Sequence, residues 1–261
     1  MKHGNTETKI GALFTDYDGT ISPINVPRSK SQVPPEITTA LKRISKRIPV
    51  AVITTKSLES VIAKTQFACA WSALGGLETR IGDTTTMEPC LKTTRQLQTA
   101  LQHAKSTAQG LFEVEEKRDS HKEVVAFSVD WRFSDNQDKA KDAAAKVLSL
   151  CETLPLTAIT YKGQPFFDVF PCAVNKGKAL LNLKQKLRVR DKVLYMGDSA
   201  LDNPAFEAAD VAVGVVHTET PKDLACHYFV KFDEVADFLG HLTEKNFCFS
   251  PSFPMILRKT P

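Results

Sequence analysis

The sequence predicts an α/β protein: a Rossmann-like core built on a parallel sheet, with a smaller α+β cap inserted into it. Two observations predict this. Short apolar runs such as Ile10–Phe14, Val50–Ile53 and Val193–Met196 alternate with segments of helical period, and strand–helix alternation implies parallel pairing with right-handed crossovers. The alternation stops near Gly82 and resumes near Lys176, with two long helices and several adjacent strands between. The expected division is residues 1–81 and 172–261 for the core and 82–171 for the cap.

The elements follow in order. Ile10–Phe14 is an apolar run of the kind buried on both faces of a parallel sheet. Ser22–Pro35 is polar, carries prolines and has no period, so it reads as a loop. In Glu36–Arg47, with Ile48 beyond, Ile37, Ala40, Leu41 and Ile44 recur at helical spacing. Ile48–Ile53 is the second strand, Leu58–Thr65 a helix, and Ala70–Leu74, ahead of Gly75-Gly76, the third strand. Asp83–Pro89 is a polar turn region, and Leu91–Ala108 a long helix carrying Leu97, Leu101 and Ala104. Leu111–Val114 and Val124–Val129 read as strands, Asn136–Leu150 as a second long helix, and Leu156–Thr160 and Phe166–Phe170 as two more strands. The core then resumes with helix Lys176–Leu187, strand Lys192–Met196, helix Asn203–Ala208, strands Val211–Val215 and Tyr228–Val230, and helix Glu234–Leu242. The tail from Asn246 to Pro261 packs on the core or on a partner.

Composition narrows the function. With 34 Lys and Arg against 30 Asp and Glu, the 261-residue chain carries a formal charge of only +4, and no basic block stands out, so neither nucleic acid nor a membrane surface is an expected partner. The six cysteines form no C-x-x-C pair and no zinc spacing, and Cys69, Cys151 and Cys226 lie among apolar neighbours, so they read as small buried hydrophobes. Met1–Lys9 has no apolar core of signal-peptide length, and no run is long enough to span a bilayer. The expectation is a reduced, cytoplasmic protein, a monomer or weak oligomer, acting on a small molecule.

The most informative stretch is Asp16-Tyr17-Asp18-Gly19-Thr20, placed where the first apolar strand ends. Open α/β sheets bind ligands at the carboxyl ends of their strands, so two carboxylates there point to chemistry. Three further segments follow in order: Val50-Ala51-Val52-Ile53-Thr54, Asn175-Lys176-Gly177-Lys178, and Met196-Gly197-Asp198-Ser199-Ala200-Leu201-Asp202. Together these resemble the motifs of the haloacid dehalogenase-like (HAD) phosphohydrolases. With Pro23-Ile24 after the first motif, the sequence is most similar to their trehalose-6-phosphate phosphatase branch, over roughly residues 10–240.

The resemblance implies a nucleophile, Asp16, which forms an aspartyl phosphate, and a general acid and base, Asp18. It implies Mg²⁺ held by Asp16, the backbone carbonyl of Asp18, and Asp198, with Asp202 one helical turn on facing the same ion; hard oxygen ligands suit that metal. Thr54, Lys176 and Gly19 are expected around the phosphate. In the cap, Glu115-Glu116-Lys117 resembles a Glu-Asp-Lys segment that helps hold the sugar. Arg132 and Asp168 stand near further sugar-binding positions.

The sequence also departs from the branch. Thr54-Thr55-Lys56 stands for Ser-Gly-Arg, Ser199 and Asn203 replace two acids of the fourth motif, and Phe170 replaces a cation beside Asp168. The expected activity is hydrolysis of a sugar phosphate, trehalose 6-phosphate first. Mannosyl-3-phosphoglycerate or sucrose 6-phosphate hydrolysis, a phosphohexomutase, and a non-catalytic sugar-phosphate-binding protein are the alternatives.

Overall fold

The computed structural model describes residues 7–27, 30–218 and 223–258. The expectation for the N-terminal segment therefore falls largely outside the described residues, as does the end of the tail. The elements are β1 (Thr8–Thr15), α1 (Pro35–Ser45), β2 (Val50–Ile53), α2 (Leu58–Ile62), β3 (Ala70–Ala73), β4 (Glu78–Ile81), β5 (Thr84–Met87), α3 (Arg95–Ala108), β6 (Glu113–Arg118) and β7 (Val124–Asp130). They continue with α4 (Gln137–Thr153), β8 (Thr157–Thr160), β9 (Phe166–Phe170), α5 (Lys176–Lys186), β10 (Lys192–Gly197), α6 (Asn203–Ala208), β11 (Val211–Val216), β12 (Tyr228–Lys231), α7 (Val235–Glu244), β13 (Cys248–Phe249) and β14 (Leu257–Arg258).

The large sheet runs β14-β12-β11-β10-β1-β2-β3-β4-β5, with β13 also paired to β1. From β12 to β3 its strands are parallel. Successive strand residues face opposite sides. Leu13, Val52, Leu194 and Met196 thus join the apolar cluster under α1 and α7, while Phe14, Ile53, Val193 and Tyr195 join the one under α5 and α6. Fully burying each such side chain contributes about 1.5–3 kcal/mol, which is why both helix layers hold. α1 shows the logic locally: Pro35 opens it, Glu36 and Lys42-Arg43 suit its dipole, and Ile37, Ala40, Leu41 and Ile44 form its buried face.

Between β5 and α5 lies a second sheet, ordered β6-β7-β9-β8 and wholly antiparallel. Phe127, Val129, Phe167 and Val169 face α3 and α4, whose Leu97, Leu101, Ala144 and Val147 complete that core. The alternate residues face the large sheet, and a cavity lies between.

Three expectations are corrected. The polar stretch after Gly82 is not a turn region but β5, paired antiparallel with β4 through a two-residue connection in which Gly82 has φ +55. The large sheet thus continues past residue 81, where the cap was expected to begin. Nor are all cysteines reduced: Cys90 and Cys172 form a disulfide, 82 residues apart in sequence. No spacing rule could have paired them, because only the topology brings the two connections between the sheets together. Cys69 is exposed, not buried, since it sits on the turn entering β3; Cys151 and Cys226 are buried as expected. The tail packs on the core, with β13 on β1 and β14 on β12. Among the described residues no helix is long and apolar enough to cross a membrane.

Candidate active site

The strand order reverses between β1 and β10, the switch point at which open α/β sheets bind ligands. Asp16 follows the last residue of β1 and Asp198 the last of β10. Thr15 is in register with Met196, and the Asp16 N–H donates to the Met196 carbonyl at 2.8 Å, so the two carboxylates emerge side by side. Carboxylate oxygens of Asp16, Asp198 and Asp202 all lie within 4.8 Å of one another.

Lys176, the first residue of α5, faces this cluster. Its Nζ lies 2.9 Å from Asp16 Oδ1 and 2.7 Å from Asp202 Oδ1. Asp202 is wholly buried, and both of its oxygens are engaged. Oδ1 also accepts from the Tyr195 hydroxyl at 2.6 Å, while Oδ2 accepts from Ser199 Oγ and from the N–H groups of Asp198 and Ser199. It anchors the loop that aims Asp198.

Two buried carboxylates and a half-buried third against one ammonium shape the electrostatics. Burial, opposed by Lys176 and reinforced by Asp202, pushes the Asp16 carboxyl up to about 7. Burial followed by the charges of Asp16 and Asp202 pushes Asp198 well above the usual carboxylate range. For Lys176, burial acts downward, but Asp16 and Asp202 outweigh it and hold the ammonium protonated. A further positive charge would relieve this excess. The converging atoms are all hard oxygens, which fits a divalent cation of the Mg²⁺ kind.

Asp18 turns away from the cluster: its Oδ2 is 3.2 Å from Lys56 Nζ, and Ser31 Oγ donates to Oδ1. Gly19 has φ +75, and a Cβ there would collide with the Asp198 carboxylate, so only glycine fits. Its N–H donates to the Ser22 carbonyl, and its own carbonyl accepts from His217 Nε2 at 2.8 Å. Gly19 therefore offers close approach rather than a free amide. Thr54, buried just beyond β2, accepts the Lys56 N–H on Oγ1 at 3.2 Å.

Glu115, Ser128 and Asp168 are opposed in register and share the sheet face toward the core. Asp168 accepts hydrogen bonds from Lys117 Nζ at 2.8 Å, from Ser128 Oγ, and from the Tyr161 hydroxyl at 2.7 Å. Lys117 also donates to the Thr55 carbonyl, and Arg132, forked onto Asp130, donates to the Ile24 carbonyl, so both cross from one sheet to the other.

The cavity between has a volume of about 800 Å³. Asp16, Asp18, Lys176 and Asp198 line one wall, and Arg132, Tyr161 and Asp168 the other. Thr54, Gly19, Glu115, Lys117 and Asp202 stand behind those walls. Lys56 and Tyr161, which sequence reasoning passed over, stand in them. Lys56 carried a signal, being two residues past Thr54 where the resemblance has arginine; Tyr161, past a strand end, carried none.

The fold, with its large sheet and the second sheet lying between β5 and α5, is shared with solved structures. A haloacid dehalogenase-like hydrolase from Bacteroides thetaiotaomicron superposes with a TM-score of 0.66, over 90% of this chain and 100% of that one, at 14% identity. The C-terminal domain of C. albicans trehalose-6-phosphate phosphatase gives a TM-score of 0.74, over 91% and 93%, at 15% identity. A family model described as trehalose-phosphatase matches residues 14–227. The chain belongs to the trehalose-phosphatase family and is a phosphatase. Its curated relatives include the probable trehalose-phosphate phosphatase J of Arabidopsis thaliana, 25% identical over 250 residues, which span 89% of this chain and 67% of that protein.

Proposed function

We propose that this protein hydrolyses a sugar phosphate, trehalose 6-phosphate first, through an aspartyl phosphate on Asp16, with Mg²⁺ as cofactor. The observation that carries the reading is Asp16 itself: a buried carboxylate at the switch point, fixed by Lys176 and flanked by two further carboxylates.

In the first displacement a carboxylate oxygen of Asp16 attacks phosphorus, the bond from phosphorus to the sugar oxygen breaks, and Asp18 gives that oxygen a proton. In the second, water attacks the aspartyl phosphate, Asp18 takes the proton back, and Asp16 is released with inorganic phosphate. Asp16, the Asp18 backbone carbonyl and Asp198 would hold the metal, with Asp202 orienting the loop. When bound, the metal supplies the positive charge that lets one anion approach another. Lys176 and Thr54 serve the phosphoryl oxygens, and Gly19 keeps the approach open. Glu115, Lys117, Arg132 and Asp168 shape the sugar side of the cavity, whose ~800 Å³ is in the range of pockets for ligands of this size.

Asp16→Asn is expected to lower turnover at least about a thousandfold, as loss of a nucleophile does, while leaving the melting temperature unchanged or raised. Phosphate-release assays and thermal melts check this. A variant that kept its activity would remove Asp16 from the role.

A further inference from the structure

We propose that Lys56 is a positioning residue for Asp18: among the described residues it is the cation that pairs with the acid–base carboxylate, and it fixes where that carboxylate points in the wall of the cavity. The inference rests on the reading of Asp16 and Asp18 given above. β1 and β2 are neighbours with Thr15 opposite Val52, so the loops carrying Asp18 and Lys56 leave adjacent strand ends side by side. The Lys56 side chain is 5% exposed, an unusual state for a lysine unless it is paired. Its Nζ is 3.2 Å from Asp18 Oδ2 and lies 5.4 Å from the centre of the Tyr17 ring.

The backbone around Lys56 is fixed as well. Its N–H donates to Thr54 Oγ1, and its carbonyl accepts from the Leu74 N–H. Asp18 is the more exposed partner: 36% exposed, it faces the cavity, and among the described residues its other oxygen has only the long 3.4 Å contact from Ser31. A rigid cation beside an otherwise lightly held carboxylate decides where that carboxylate points. Lys176 cannot share this task, because its ammonium is committed to Asp16 and Asp202.

Proton delivery matters most when the leaving oxygen is a poor one. A sugar alkoxide needs the proton from Asp18, whereas p-nitrophenolate leaves without it. Both substrates need Asp18 in the second displacement, where water must be deprotonated. Misplacing Asp18 thus slows both displacements for the sugar phosphate but only the second for the aryl ester.

The test uses the full chain with Mg²⁺. For Lys56→Met, kcat on the sugar phosphate should fall on the order of 10- to 100-fold, part of the ~10²–10⁴ that acid–base catalysis supplies, with KM within about threefold. Stopped-flow with p-nitrophenyl phosphate should show a burst near one equivalent of p-nitrophenolate, then slow turnover. Lys56→Arg should restore sugar-phosphate turnover to within about fivefold of the parent. If Lys56→Met does not accumulate, Lys56→Gln keeps the stem and removes the charge, with the same outcomes expected.

Unchanged turnover, an equal loss of burst and steady-state rate, or an arginine variant as slow as the neutral one would each overturn the proposal. A parent protein that releases no phosphate from any substrate would instead overturn the reading of the site on which the proposal rests.

Discussion

Lys176 answers two buried carboxylates with one charge, and Asp198 is left to be answered by something else. That imbalance has a consequence for pH. The folded-state value of Asp16 is raised to about 7, above that of the unfolded chain. Its contribution to stability is therefore fully present below the unfolded carboxylate range and is lost as pH rises through about 7. The protein in EDTA should accordingly lose melting temperature between about pH 5 and pH 8. Mg²⁺ should restore it at pH 8 and do little at pH 5. Melts that stay flat across this range, or Mg²⁺ effects of equal size at both ends, would contradict the account. At this scale the sequence was most legible where a side chain acts from a strand end. Asp16, Asp198 and Lys176 stand together, as the resemblance implied. Asp18, Gly19 and Asp202 lie near these strand ends as expected, but their contacts were not legible, because a motif does not say which oxygen a neighbour will occupy.

The elements of the parallel sheet were readable because their burial on two faces demands continuous apolar runs. β5 was missed for the opposite reason. Thr84-Thr85-Thr86-Met87 lies at the sheet edge, its alternate side chains exposed, so nothing forced an apolar pattern on it. The tail was unreadable as an element until its aromatic side chains found partners: Phe249 and Phe253 pack with Phe238, and Tyr228 packs with Phe249. The Cys90–Cys172 link belongs to this scale too, since it joins the connection leaving β5 to the one entering α5. It closes a segment of 82 residues. On the chain-entropy model such a link stabilises by about 4.5 kcal/mol. Cys90→Ser should lower the melting temperature, and a thiol reductant should lower that of the parent to match while leaving the variant unmoved. A reductant effect of equal size on both proteins would show that the link contributes nothing.

At the scale of the molecule, the site is a space between two sheets that several contacts hold close: Lys117 to Thr55, Arg132 to Ile24, and the Ser120 N–H to Glu78. Asp168 joins this arrangement through three donors, so it organises the far wall as well as facing the cavity. Removing it leaves the buried Lys117 short of its carboxylate, a loss of about 3–5 kcal/mol for a broken buried pair. Asp168→Asn, which keeps the shape, is the better probe of recognition. It should raise KM for the sugar phosphate about tenfold or more, while p-nitrophenyl phosphate, which has no sugar to hold, changes less than about threefold. Equal effects on both would make Asp168 a purely structural group.

The measurement that bears most directly on the central claim is phosphate release from a panel of trehalose 6-phosphate, sucrose 6-phosphate, mannosyl-3-phosphoglycerate and glucose 6-phosphate, with Mg²⁺ and with EDTA. Stoichiometric, metal-dependent release that is fastest from trehalose 6-phosphate and absent in EDTA is the expected result. No release from any member, with p-nitrophenyl phosphate also inert in Mg²⁺, would contradict it.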